Sequence, residues 1–118
     1  MANITAQAID EDGLNNPTTQ AAAGGGDAIV SPGDGVVFMF VNGDAAPHDF
    51  KVDDPRTRTP SGATTFDPDV TINVAAGQRA FVWLPGDRFT NPTTGVISVS
   101  YPGSDVTSCT VAAFRIVE

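Results

Sequence analysis

Four strand-like stretches between turn-forming boundaries fill the second half of the chain, two of them alternating apolar and polar residues, and this pattern constrains the fold most. Residues 69–74 (DVTINV) alternate, Ala75-Ala76-Gly77-Gln78 turns the chain, and 79–84 (RAFVWL) runs back. After the loop Pro85-Gly86-Asp87-Arg88-Phe89, residues 95–101 (GVISVSY) alternate again. Pro102-Gly103-Ser104-Asp105 then leads into 106–117 (VTSCTVAAFRIV). A period of two marks a strand with one buried face. The pattern therefore predicts two β-hairpins joined by a proline-aromatic loop. None of these strands carries a cluster of acid, base or nucleophile, which points to a protein that works through its surface.

The first half is less regular. Ile4, Ala6 and Ala8 alternate with Thr5, Gln7 and Ile9, a short strand. Residues 10–26 hold Gly13, Asn15-Asn16-Pro17, three alanines and three glycines, and read as an extended arm or long connection. Such a stretch is either a loose loop or an arm that orders on a neighbouring subunit. Ser31-Pro32-Gly33-Asp34-Gly35 is a dense turn signal. Residues 36–42 (VVFMFVN) follow, apolar on both faces, as expected of a central strand covered on both sides. Asn42-Gly43-Asp44 begins a turn, and 48–52 is expected to pair back with Phe50 and Val52 on one face. Residues 53–68, rich in Pro, Thr, Asp and Arg, form a second long loop.

Twelve glycines and nine prolines in 118 residues imply the frequent turns of an all-β domain. The expected fold is all-β: a small β-sandwich or barrel of antiparallel hairpins with an extended N-terminal arm. Residues 1–30 supply the first strand and arm, and 31–118 the core of a single domain. A net charge of −8, with only six basic residues, disfavours nucleic acid and anionic membranes as partners. The start of the chain has no basic, then apolar, leader pattern, so synthesis in a cytoplasm without an export signal is expected. The single cysteine, Cys109, precludes an internal disulfide and is expected to be a buried, inert thiol.

Candidate chemistry is thin. Asn42 and Pro47-His48 ahead of a strand, with Cys109 near the carboxyl end, resemble the cupredoxins. Blue copper needs two imidazoles and a thiolate, however, and His48 is the only histidine. Met39 lies far upstream. His48 is expected to pack or hydrogen-bond locally. Asp53-Asp54, Asp67 and Asp69, or Asp10-Glu11-Asp12-Gly13, could gather round a hard cation, but neither group has EF-hand spacing. Both read as solvated loop charge. Gly24-Gly25-Gly26 lacks the Lys-Ser/Thr ending of a phosphate loop. No enzyme, metal or cofactor is expected. In the loop after Trp83-Leu84, Arg88 stands beside Phe89 between prolines, and such pairs are enriched at interface anchors. Phe89 could instead fold back to plug the open end of the sandwich.

Larger blocks carry a further resemblance. Residues 33–52 (GDGVVFMFVNGDAAPHDFKV) resemble a strand–NG-turn–strand block of small head proteins of tailed bacteriophages. Residues 69–77 (DVTINVAAG), Arg88-Phe89, 95–101 (GVISVSY) and 110–116 (TVAAFRI) look like that family's carboxyl half, and the opening ITAQ also fits. The family's turn proline is Ala75 here, and the 53–68 loop is longer and more charged. The resemblance implies a decoration (cement) or minor capsid protein on the outer surface of the virion. Its partner would be the major capsid protein, with self-association as a trimer, and it would stabilise the expanded shell by bridging subunits. Ile4, Leu14, Asn16, Pro17, Arg88 and Phe89 are the expected contact residues. The alternatives are a tail or head–tail component, or a displayed carbohydrate- or cell-surface-binding module with Trp83, Tyr101 and Phe89 as stacking candidates. Of these, Trp83 is expected in the core.

Overall fold

The structure, a computed structural model, describes residues 2–31, 33–55 and 69–117. The sequence-predicted turn at Pro32 and most of the 53–68 loop, with Asp67, therefore lie outside the described residues. The described chain forms nine strands: β1 (Ala2–Ile9), β2 (Gln20–Ala21), β3 (Asp27–Val30), β4 (Gly35–Asn42), β5 (His48–Val52), β6 (Val70–Val74), β7 (Arg79–Pro85), β8 (Val96–Ser100) and β9 (Cys109–Ile116). One helical turn, α1 (Gly86–Phe89), follows β7. The fold is all-β, as the turn-rich alternating sequence implies.

Eight strands form a nearly closed, barrel-like sheet in the order β6-β5-β8-β3-β1-β9-β4-β7. β1 makes the closure possible by serving both halves. Its first part, Ala2 to Thr5, lies parallel to β3, and its second, Ala6 to Ile9, lies parallel to β9. These parallel pairs stand beside otherwise antiparallel ladders, because β1 is joined to β3 by a long connection and to β9 only through most of the chain, never by a hairpin.

The strand pairing expected along the second half is corrected. β6 and β7 do not form a hairpin: β6 pairs with β5, and β7 with β4. Likewise β8 pairs with β3 and β5, while β9 pairs with β4, β1 and β2. β4 and β5, also expected to pair, lie in opposite walls. Each short turn carries the chain across the core instead of back along the same wall. The physical reason is that each strand has one apolar stripe. Facing the stripes of successive strands across the interior buries both, as in aligned sheet packing. A lone hairpin would leave them side by side on one surface.

Phe38 and Phe40 of β4 meet Phe50 of β5 at this interior. The ring centroids lie 5.2 Å apart in both pairs, edge-on for Phe38 and stacked for Phe40. Ile29, Leu84, Ile97, Val99 and Val111 complete the packing. The inner face of β4 is buried, and its outer face is only partly covered: Val37, Met39 and Val41 belong to a second, smaller cluster outside the barrel with Ala112 and Phe114.

The 10–26 segment lies on its own barrel. The Gln7 side chain bonds Thr18 twice, donating to its carbonyl (2.7 Å) and accepting from its N–H (2.8 Å). β2 pairs with β9, and the Ala22 N–H donates to the Cys109 carbonyl. At the other end, Gly35 and Gly86 let the turn before β4 press against the end of β7. A Cβ on Gly86 would overlap the Gly33 carbonyl oxygen and sit 3.1 Å from the Gly35 nitrogen. Gly86→Ala is expected to destabilise the domain by about 1–3 kcal/mol through backbone overlap. An unchanged thermal midpoint would contradict this close packing.

Candidate functional site

Two regions combine exposure or chemistry with a defined geometry: a polar corner at one end of the barrel, and the outer face of the β7-β4-β9-β1 wall.

The polar corner grows from the end of β4. Asn42 is fully buried, and its amide donates to the carbonyls of Ala46 (2.8 Å) and Val74 (3.0 Å). Its oxygen accepts from the Asp44 N–H. This carries the chain round the corner into β5, whose first residue is His48. The His48 ring, 6% exposed, contacts the Asp44 carboxylate through Nε2 (2.9 Å) and the Asp105 carbonyl through Nδ1 (3.1 Å). The expected local bond is present, and a second one reaches across to the loop before β9. Cys109 is buried close by, with Sγ 3.9 Å from Asn42 Oδ1.

The structure thus brings together Asn42, His48 and Cys109, the residues that resemble the cupredoxin pattern, while Met39 lies on the outer face of the wall. Both imidazole nitrogens are engaged. Among the described residues, no group of three His, Cys, Asp or Glu side chains is placed to hold a metal ion. Burial raises the Cys109 thiol above its ordinary value, with the charges of Asp44 and Asp105 adding to the effect. The thiol is therefore held protonated, the state in which it is a poor nucleophile.

Both ring nitrogens of His48 face acceptors, an arrangement that only the imidazolium fills with two donors. The Asp44 hydrogen bond accordingly raises the His48 pKa above 6.5. The same bond, with the Ala45 N–H, lowers Asp44 below 3.8, and the Thr107 hydroxyl and N–H lower Asp105. The signs define a window. The contribution of His48 is complete below its unfolded value of about 6.5 and is lost as pH rises through the higher folded value. That of the two aspartates is complete above their unfolded value of about 3.9 and is lost as pH falls. Thermal midpoints measured from pH 5 to 9 are expected to fall by a few degrees in the native chain across the histidine titration, and less in His48→Gln. Parallel profiles would sink this reading of the corner.

A buried carboxylate, Asp27, has a structural role. Its Oδ2 accepts from the Tyr101 hydroxyl (2.5 Å) and the Ala23 N–H (3.2 Å), fastening the 20–26 segment to β3 and β8. Burial and this contact raise the Tyr101 pKa strongly, so the phenol remains a donor.

The outer face of the wall is different in kind. Phe81 and Trp83 of β7 are 59% and 52% exposed. The register sets Trp83 beside Val37 and Phe81 beside Met39 on β4, with Phe114 and Ala112 next on β9. A groove of about 450 Å³ runs over Val37, Met39 and Phe114, walled by Leu14 and Pro17 of the arm on one side and Phe81 on the other. Arg79 is the one charged residue among its lining. Trp83 was expected in the core. The alternation was legible, but its phase was not: Ala80, Val82 and Leu84 take the inward side and leave the two aromatics outside.

The expected contact residues divide accordingly. Leu14 and Pro17 line the groove, and Asn16 is exposed beside them in a left-handed backbone conformation (φ 54°). Ile4 and Phe89, 2% and 3% exposed, are core residues and offer no side chain to a partner. Phe89 takes its other expected place, as a plug. Arg88 lies over the Phe89 ring at 4.5 Å and pairs with the buried carboxylate of Asp54 (3.1 Å). Tyr101, a stacking candidate, is likewise buried. Met39, Phe81 and Phe114 were not among the contact residues expected from the sequence. The aromatics at two alternate positions of β7, 81 and 83, were the available signal for Phe81. Comparison with protein-family models, curated proteins and solved structures finds no match to this chain.

Proposed function

We propose that this protein acts by surface contact rather than catalysis, as a decoration protein on the outer shell of a tailed-bacteriophage head that bridges neighbouring major capsid subunits. The observation that carries this reading is the apolar groove between the arm and β7, set on an otherwise acidic, tightly packed barrel. An exposed apolar face of this kind marks an interaction surface. Its groove includes Leu14 and Pro17 of the arm, so a partner seated there touches both parts of the chain at once. The resemblance of residues 33–52 and 69–117 to phage head proteins supplies the setting. On a capsid lattice, many weak contacts sum to firm retention. A protein that prefers the expanded shell stabilises it by that difference in affinity. Acidity suits the outside of the shell better than its nucleic-acid-lined interior.

The copy number of this chain relative to major capsid protein in purified virions tests the proposal. A ratio near one, or a simple lattice fraction, is the expected result. A handful of copies per particle would move the protein to the tail or connector, and absence from virions would end the reading. The exposure of Trp83 favours one alternative, a carbohydrate-binding role, because indole faces stack on sugars. That alternative requires tryptophan fluorescence to change on titration with glycans, and decoration requires no such response.

A further inference from the structure

β7 ends the strand order, with β4 on one side only. Among the described residues, no backbone bond reaches its other edge. Free edges are commonly blunted by charge, proline or a bulge. Here Arg79 and Pro85 stand only at the two ends, and the five residues between them, Ala80 to Leu84, carry no charge, glycine or proline. The opposite end of the sheet differs: β6 exposes Thr71 and Asn73, both polar.

The sequence of β7 is self-complementary. If a second copy pairs antiparallel about a two-fold axis at Val82, residue 81 of each copy falls opposite residue 83 of the other. Phe81 then meets Trp83 twice on the outer face, and cross-strand aromatic pairs of this kind are favourable. The ends match as well. Arg79 of one copy comes to the end of β7 in the other, where Asp34 and Asp87 are exposed. Two chains of charge −8 repel. The pairing of Arg79 with Asp34 or Asp87 at each end offsets part of that repulsion.

We propose that two copies of this chain associate through the free edge of β7, antiparallel about Val82, joining their outer walls into one continuous sheet with a four-aromatic seam. A closed two-fold contact of this type uses the same patch on both subunits and ends growth at the dimer. It brings two apolar grooves side by side. The association follows from the edge itself and holds whether or not the partner of the grooves is a capsid.

The test is the mass of the intact chain by sedimentation equilibrium across concentrations up to about 1 mM, read alongside the emission of its single tryptophan. The mass is expected to double while Trp83 emission shifts to the blue in step. Phe81→Lys, at an exposed position, should weaken association by about 30-fold or more, the size expected of an aromatic anchor. The double variant Phe81→Glu/Trp83→Lys should recover mass doubling, since it sets opposite charges across the axis. A monomer throughout, a trimer, or a dimer indifferent to Phe81→Lys would each overturn the proposal. Far-ultraviolet circular dichroism on each variant separates lost association from lost folding.

Discussion

Phe50→Ala is expected to remove about 3–5 kcal/mol of stability, the usual cost of deleting a buried phenylalanine. For a domain whose total stability is about 5–15 kcal/mol, that is a large share. The size follows from where Phe50 stands. It is fully buried on β5, and its ring touches Phe38 and Phe40 of β4 in the facing wall. These two strands share no backbone ladder, so the aromatic cluster is a main tie between the walls at this point. Truncation leaves a void flanked by two rigid rings, and rigid neighbours relax poorly into a cavity. Phe50→Leu, which keeps most of the volume, should cost clearly less. Urea unfolding of both variants gives the answer. A loss under about 1 kcal/mol for alanine would mean that the walls are not held together by this cluster.

Asn42→Ala comes next, with an expected loss of about 3 kcal/mol from polar groups left without partners. Its amide caps the carbonyls of Ala46 and Val74, which belong to two different crossings between the walls. Asn42→Asp sharpens the point. Once ionised, the new carboxylate would face two carbonyl oxygens with no proton to offer, and burial raises the pH at which this happens above the free-carboxyl value. It should be at least as damaging as alanine at neutral pH, and less so in acid, where the protonated carboxyl can donate. If the two variants behaved alike at every pH, packing rather than hydrogen bonding would explain the role of Asn42.

The contrast between these residues shows what was legible in the chain. Phe38, Phe40 and Phe50 fall at alternate positions of apolar runs, so their burial could be read directly. Asn42 was visible only as a turn residue, because its carbonyl partner on Val74 lies 32 positions away. His48 falls between the two cases. Asp44, four residues before it, is a local partner, whereas the Asp105 carbonyl is 57 residues distant. Of the expected contact residues, Leu14 and Pro17 sit in the groove, while Ile4 and Phe89 are buried. Composition alone does not say which side of the chain an aromatic in a loop will take.

Strands β1 and β4 to β9, with the apolar central strand β4 among them, were determined by the sequence itself, because alternation and turn chemistry act over a few residues, whereas β2 and β3 lie in the stretch that reads as an arm. The all-β class follows from the same local signals. Tertiary structure decided which strands pair, that each short turn crosses the core, and that Phe81 and Trp83 face outward. Those choices depend on which apolar stripes can be buried against each other. That is a comparison among segments far apart in the chain, and a period of two fits either face of a strand equally well.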